Sequence, residues 1–181
     1  MPPMMPRLLA ALFLAAATLS QPAYAGNPKD VARAKDTSGL AECVRCDLSG
    51  ADLRNGFFQF ANLIEADLSR VKADGANMAG VQFHGAKLNN GTFTYVNFSG
   101  AQFQGADMRG ADFSNAWFNW AWFAGAKLDG ADFTGAKMIG AQLQGADLSK
   151  AKGLTTSQLR NACADALTKL PPGVGQPWCP F

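Results

Sequence analysis

The chain has 181 residues, with 16 Lys and Arg against 14 Asp and Glu, and a formal net charge of +2 at pH 7. A chain of this length is enough for one domain. Because the charges nearly balance, neither sign dominates the surface, and we predict no nucleic-acid partner.

The first 25 residues differ in composition from the rest. Arg7 precedes an apolar run over residues 8–19, and the small-x-small sequence Ala23-Tyr24-Ala25 precedes Gly26. This order is typical of a secretory signal peptide, and the apolar run is too short to span a membrane. We therefore predict a signal peptide over residues 1–25 and an exported protein, periplasmic or secreted. The mature chain would have no membrane span.

Residues 26–40 are polar and lie outside the repeat that follows them. An open end of a repeat protein exposes unpaired backbone groups that would template aggregation. We therefore expect residues 26–40 to form an N-terminal cap or linker that lies across the first repeats.

The long middle stretch, Ala41 to Lys150, repeats every five residues without an insertion or deletion. The third residue of each unit, here called the centre, is Leu, Phe or Met in 20 of 22 units, and the residue two before it is usually Ala. Inward positions spaced by two residues predict an extended segment. Because five is odd, this alternation cannot continue into the next unit, so the chain must turn after every unit. Gly in the fifth place of 12 units is consistent with such turns.

These units, such as Ala66-Asp67-Leu68-Ser69-Arg70, resemble the A(D/N)LXX pattern of the pentapeptide-repeat family. The resemblance implies an all-β solenoid over residues 41–154, a right-handed quadrilateral parallel β-helix with four units per coil and about five and a half coils. With 20 residues per coil, the centres stack in columns and predict a filled core without space for a substrate. Its principal residues are Leu63, Phe83, Phe103, Phe123, Leu143, Phe98, Phe118, Phe113 and Phe133.

The period fades at residues 152–154, and Thr155 with Gln158 forms the sequence signature of a capping box. This predicts a capping α-helix over residues 155–170 that covers the last coil. Its apolar face would contain Leu159, Cys163, Ala166 and Leu170. Two prolines then end the helix, and residues 171–181 are predicted to form an irregular tail.

Four cysteines in an exported chain suggest disulfides. Cys163 and Cys179 are predicted to pair around the C-terminal segment. Cys43 and Cys46 form a CVRC sequence in the first coil, for which a disulfide or two buried thiols are the favoured interpretations and redox chemistry is the alternative. The two cysteine pairs lie at opposite ends of the predicted rod, which excludes a four-cysteine zinc site within one molecule.

Several aromatic residues occupy outward places of the repeat and form a candidate interaction surface. These residues are Trp117, Trp120, Trp122, Phe60 and Tyr95. Clustered exposed aromatic side chains often mark binding sites. The occupant could be a protein partner, a second copy of the chain or a polysaccharide. Alternatively, the rings only pack locally on the corners of the rod.

The sequence has no phosphate-binding glycine loop, no G-x-S-x-G and no His or Cys cluster at ligand spacing. We therefore predict no enzyme activity, no cofactor and no metal. The favoured function is an exported scaffold that binds a protein partner or itself through an outer face. The alternative is a module that binds envelope polysaccharide through its tryptophans. The resemblance also implies a third possibility, mimicry of DNA to protect gyrase, but the near-neutral charge and the export signal argue against it.

Overall fold

The computed structural model describes residues 26–36, 42–177 and 179. The predicted signal peptide, residues 1–25, lies outside the described residues, and its prediction stands as made. Among the described segments, no helix has the length and apolar character needed to cross a bilayer.

The repeat block winds into a four-sided solenoid with 20 residues in each coil. Parallel bridges join residues 20 positions apart, from Glu42 with Asn62 to Asp132 with Lys152. Each bridge lies in the second place of its unit, whose backbone bonds to the preceding coil through both its C=O and its N–H: Leu63 N donates to Gln82 O at 2.9 Å, and Gln82 N donates to Ala61 O at 3.0 Å. The bridges stay isolated because a turn follows every extended segment. The fold is therefore the predicted parallel β-helix.

Four columns of bridge residues define the four sides of the rod. We number the sides in chain order by these residues. Side 1 contains Asn62, Gln82, Gln102, Trp122 and Gln142; side 2 contains Asp67, Lys87, Asp107, Lys127 and Asp147; side 3 contains Lys72, Thr92, Asp112, Asp132 and Lys152; side 4 contains Phe57, Asn77, Asn97, Trp117 and Lys137.

The centres fill the interior of the rod. The nine core residues named from the sequence are each at most 1% exposed. Phenylalanines in one column stack in successive coils, as Phe83 does on Phe103 with centroids 5.0 Å apart and planes at 5°. Neighbouring columns meet edge to face, as Phe98 and Phe103 do at 5.2 Å and 74°. Both arrangements are favourable for aromatic rings, so the core holds its side chains in a single packing.

A short helix, α1 (Pro28–Ala34), covers the first coil. The Asn27 side chain caps its start by accepting from Lys29 N, and Pro28 occupies the first turn. Asn27 N donates to Asp47 O at 2.9 Å, and the Asp30 carboxylate accepts from Asp47 N at 3.0 Å. The segment thereby satisfies backbone groups that an open first coil would leave unpaired. Sequence analysis placed a cap here but missed the helix, although Asn followed by Pro is a helix-start signal.

At the other end, α2 (Thr156–Leu159) begins at the predicted capping box. Gln158 N donates to the Thr155 hydroxyl at 3.2 Å, and Thr155 N donates to the Gln158 side chain at 2.9 Å. The Gln158 amide also donates to Phe133 O at 2.9 Å and Ala136 O at 3.1 Å. The start of the helix is thus fixed both locally and to the last coil.

The predicted extent of this helix, residues 155–170, is wrong, because α2 ends at Leu159. The chain instead resumes the coil: Cys163 forms a parallel bridge with Gln142, and Lys169 forms one with Asp147. Leu143 N and Leu148 N, on the edge of the preceding coil, need acceptors and find them in Cys163 O and Lys169 O, both at 2.7 Å. The proposed apolar helix face therefore does not exist: Leu159 and Cys163 are buried, Leu170 is half-buried, and Ala166 is exposed.

Candidate interaction surface

Charge is distributed unevenly around the rod. Between residues 57 and 144, Lys137 is the only Asp, Glu, Lys or Arg on side 1, side 4 or the corner that joins them. Sides 2 and 3 carry ion pairs, such as Arg109 with Asp107 at 2.6 Å. The Arg109 hydrogen bond lowers the pKa of the Asp107 carboxyl. Sides 2 and 3 thus form a charged half of the rod. Sides 1 and 4, which carry only Lys137 over these residues, form the half that we call uncharged.

Trp117, Trp120 and Trp122 lie on the uncharged half. Trp117 stands on side 4, Trp122 stands on side 1, and Trp120 lies at the corner between them, with exposures of 43%, 50% and 52%. The Lys137 ammonium lies 5.1 Å from the centroid of the Trp117 ring. Since all three rings remain about half exposed, they are available to a binding partner.

Side 4 is bordered by four of the five aromatic residues named from the sequence. Phe60 shares the corner of Trp120, Trp117 lies on the side itself, and Tyr95 lies at the opposite corner, next to side 3. Trp122 is the exception because it projects from side 1. Sequence reasoning missed Phe57 and Ile139, which are 66% and 50% exposed on the same surface. Both occupy outward places of their units, so the period alone was sufficient to find them.

Phe60 and Trp120 also pack on the next coil. The Phe60 ring covers Gly80, where an added Cβ would lie 2.5 Å from it, and the Trp120 ring covers Gly140 in the same way. Both glycines have positive φ, +68°. Local packing on the corners therefore covers part of each ring, and Phe60 and Trp120 remain 63% and 52% exposed.

Four of these aromatic side chains form the walls of a groove that crosses side 4. Phe57 and Phe60 belong to unit 56–60, and Trp117 and Trp120 hold the same places in unit 116–120, three coils away. At a strand spacing of about 4.8 Å, the two walls are roughly 14 Å apart. We call this feature the transverse groove.

The floor of the transverse groove is formed by small, uncharged residues. It consists of Asn77, Ala79, Asn97, Ser99 and Gly100. A Cβ added to Gly100 would meet nothing within 4 Å, so this part of the floor is bare backbone. The depression therefore results from residue size: glycine and short side chains lie between two rows of rings.

The asparagines of the floor present hydrogen-bond donors. The Asn77 side-chain oxygen accepts from Ala79 N at 3.3 Å, and that of Asn97 accepts from Ser99 N at 3.0 Å. These bonds are of the kind that Asx turns make. Because the oxygens are occupied by the backbone, the amide NH2 groups are left to donate outward.

The cysteines lie at the two ends of the rod. Cys43 is bonded to Cys46 and Cys163 to Cys179, so no described cysteine is free. The first disulfide is buried, with Cys43 and Cys46 at 0% and 1% exposure. Thiol exchange requires an accessible sulfur, and this burial favours a structural role over the redox alternative.

Two shallow clefts lie among the described residues, and the first of them reaches side 4 at Phe57. The first, about 280 Å³, is lined by Lys35, Arg54 and Phe57 among others. The second, about 370 Å³, is lined by Asn89, Asn90, Arg109, Gly110 and Asp129. Neither places a nucleophile beside a base. The described residues also contain no group of three or more potential metal ligands.

Two family models of pentapeptide repeats match the chain, one over residues 41–80 and one over residues 73–113 and 93–137. Together they span residues 41–137, which is 97 of the 181 residues. The chain belongs to the pentapeptide-repeat family, whose members fold as right-handed quadrilateral β-helices.

Solved structures of the family are similar to this chain. HetL, a pentapeptide repeat protein involved in heterocyst differentiation regulation from Nostoc sp. strain PCC 7120, is 25% identical over 74% of this chain and 68% of its own (TM-score 0.39). The alr5209 protein from Nostoc PCC 7120 is 22% identical over 86% and 93% (0.41). QnrB1, a plasmid-mediated fluoroquinolone resistance protein, is 18% identical over 69% and 89% (0.37). Among curated proteins, none matches this chain.

Proposed function

We propose that the protein is an exported, non-catalytic scaffold: a rod of about five and a half coils, closed at both ends, that binds a protein partner through side 4 and the adjoining corner. The observation that carries the proposal is the separation of charge from exposed aromatic residues. The centres of protein interfaces are depleted of charged side chains and enriched in aromatic ones. Side 4 has this composition, whereas sides 2 and 3 have the composition of a solvated surface.

Export is part of the proposal and rests on two observations. Residues 1–25 have the pattern of a signal peptide. Two disulfides join the cysteines at the ends of the rod, and disulfides persist in oxidising compartments. Mass spectrometry of the protein from producing cells should show an N-terminus at Gly26. A protein that retains residues 1–25 would contradict export by this route.

The experiment that tests partner binding compares two matched positions. Ser99 on side 4 and Ser114 on side 3 both occupy the fourth place of their units and are both half-buried. A photo-crosslinking amino acid with a short aliphatic diazirine side chain at each position, in cells that produce the protein, should give protein adducts at residue 99 and few at residue 114. Equal yields at the two positions, or no protein adduct at residue 99, would reject the proposal.

A second candidate function is binding of a neutral polysaccharide on the same surface. The observation that favours it is the pairing of Trp117 and Trp120 with the outward amide donors of Asn77 and Asn97. Aromatic faces and neutral donors together suit a hydroxyl-rich ligand without charge. Titration with sugar fragments should then quench the tryptophan fluorescence of the wild type but not that of a Trp117→Ala, Trp120→Ala variant.

A further inference from the structure

We infer that the transverse groove holds an amphipathic α-helix of the partner, lying across the rod between the phenylalanine and tryptophan walls. The inference rests on the proposed function, because it names the element by which a protein partner binds side 4. It follows from the width of the groove, the charge of its floor and the arrangement of its walls.

The width of the groove matches a helix. The strands that carry Phe57 with Phe60 and Trp117 with Trp120 are roughly 14 Å apart, three strand spacings of about 4.8 Å. The van der Waals thickness of the rings, about 3.5 Å, leaves a gap of about 11 Å. An α-helix with its side chains has a diameter of about 10–12 Å. A single extended strand would leave one wall without contact.

The walls run in the direction that a crossing helix requires. Each wall extends from the second place of its unit to the corner residue, and so runs across side 4 and not along the rod. A helix between them would be contacted on three sides: by each pair of rings and by the floor. Trp and Phe side chains that close on an apolar helix face are the anchors of helix-in-groove recognition.

The composition of the floor determines which face of the helix lies against it. Asn77, Ala79, Asn97, Ser99 and Gly100 carry no charge, and the bare corner at Gly100 permits close approach. Burying a charged side chain here would leave it without a partner, which is costly. The helix must therefore present a stripe of small and apolar residues, with polar atoms placed to accept from the two asparagine amides.

A second copy of the chain fits this site poorly. The flat side of a second rod would rest on the four rings and leave the floor uncovered. We therefore expect a monomer by light scattering, and a dimer that a Trp117→Ala, Trp120→Ala variant loses would overturn the inference.

The test maps the crosslinks made from residue 99 in producing cells. Mass spectrometry of the adducts should locate them in one partner segment whose apolar residues recur at helical spacing, i, i+3, i+4 and i+7. Adducts confined to an extended segment or a loop would overturn the inference and leave the proposed function standing. The absence of protein adducts, or adducts to polysaccharide, would reject both.

Substitutions distinguish binding within the groove from binding to the surface around it. Trp120→Ala and Phe60→Ala, one on each wall, should each lower the crosslink yield at residue 99 at least tenfold. Asn97→Trp, which fills the floor beside Trp117, should do the same. Trp122→Ala is the matched control, since Trp122 is as exposed as Trp120 but projects from side 1, and it should change the yield less than threefold. Equal losses in Trp120→Ala and Trp122→Ala would mean that the surface binds without a groove. Thermal unfolding of each variant establishes that the rod is intact.

Discussion

Adjacent residues in this chain have opposite environments, so the place within the five-residue unit decides what a substitution does. Phe103 is completely buried, whereas its neighbour Gln102 lies on side 1 and is only partly buried. The corner residue two places after each centre from Cys43 to Leu143 adopts positive φ, which is why glycine is common there. Substitutions therefore test the register directly.

Phe103→Asp should abolish the folded rod. The substitution places a carboxylate in a dry core between Phe83 and Phe123, and an unpaired buried charge costs several kcal/mol at least. Gln102→Asp, one residue earlier, should change stability by less than about 1 kcal/mol. Circular dichroism and thermal unfolding measure both effects, and a folded Phe103→Asp protein with an unchanged Tm would refute the register.

Gly140→Ala should cost more stability than Gly100→Ala. Both residues have φ near +68°, so each substitution incurs the roughly 1–2 kcal/mol cost of a left-handed L-residue. At Gly140 the new methyl group must also displace the Trp120 ring, whereas at Gly100 it meets nothing within 4 Å. Urea unfolding of both variants, with and without Trp120→Ala, measures the difference. Equal losses for the two glycines would show that the ring does not pack on the corner.

The two end segments are the elements least determined by the repeat, and sequence reasoning succeeded there only in part. The sequence was sufficient to predict a cap before the first coil, and Asn27 with Pro28 marks a helix start, but the contact of this helix with the backbone of Asp47 is visible only in the fold. After Thr155 the local sequence favours a helix, but the open edge of the last coil supplies stronger backbone partners beyond Leu159. Periodicity predicted the core because the units bury the same two places. The conformation of a cap depends instead on the backbone groups at the end of the rod that it covers.

The C-terminal disulfide should stabilise the rod more than the N-terminal one. Cys163 and Cys179 are 16 residues apart, and the entropic model gives about 3 kcal/mol for a loop of this size. Cys43 and Cys46 are three residues apart, for which the same model gives about 2 kcal/mol. Urea unfolding of the two double Cys→Ala variants under oxidising conditions tests the order. A larger loss for the Cys43, Cys46 variant would indicate that contacts of the N-terminal cap outweigh chain entropy.

At the scale of the whole molecule, the ion pairs and carboxylate hydrogen bonds of sides 2 and 3 make stability depend on pH. The pKa of Asp147 is lowered from 3.8 to about 2, chiefly by hydrogen bonds from Ser149 and Lys169. Hydrogen bonds from Arg109 and Thr134 lower those of Asp107 and Asp132. A carboxyl whose pKa is lower in the folded state contributes its full stabilisation above the unfolded pKa.

We therefore expect a Tm that is nearly constant from pH 7 to pH 5 and falls between about pH 4 and pH 2. Thermal unfolding at fixed ionic strength measures this profile. Asp147→Asn should flatten the fall slightly, whereas Asn77→Asp on side 4 introduces a carboxyl without an ion-pair partner and serves as the control. A Tm that rises on acidification would show that these carboxylates are not stabilised in the folded state.

The charge pattern of the rod differs from that of a DNA duplex. Lys87, Asp107 and Lys127 alternate in successive coils on side 2, so no side presents an unbroken acidic column over the length of the rod. Imitation of a DNA duplex requires dense negative charge. The sequence was sufficient to predict this balance, but not its segregation, because the segregation becomes visible only when residues 20 apart are placed in one column.

Because the coils stack at a constant spacing, the width of the transverse groove changes only in steps of one coil, about 4.8 Å. Deleting residues 81–100 removes one coil and joins Gly80 to Ala101 with every later residue still in its place within a unit. Both aromatic walls would survive unchanged, but their separation would fall from roughly 14 Å to about 10 Å, and duplicating the same residues would widen it to about 19 Å. Lineages that gain or lose a single coil would thus change the size of ligand they accept while keeping both aromatic walls, although this deletion also removes Asn97, Ser99 and Gly100 from the floor.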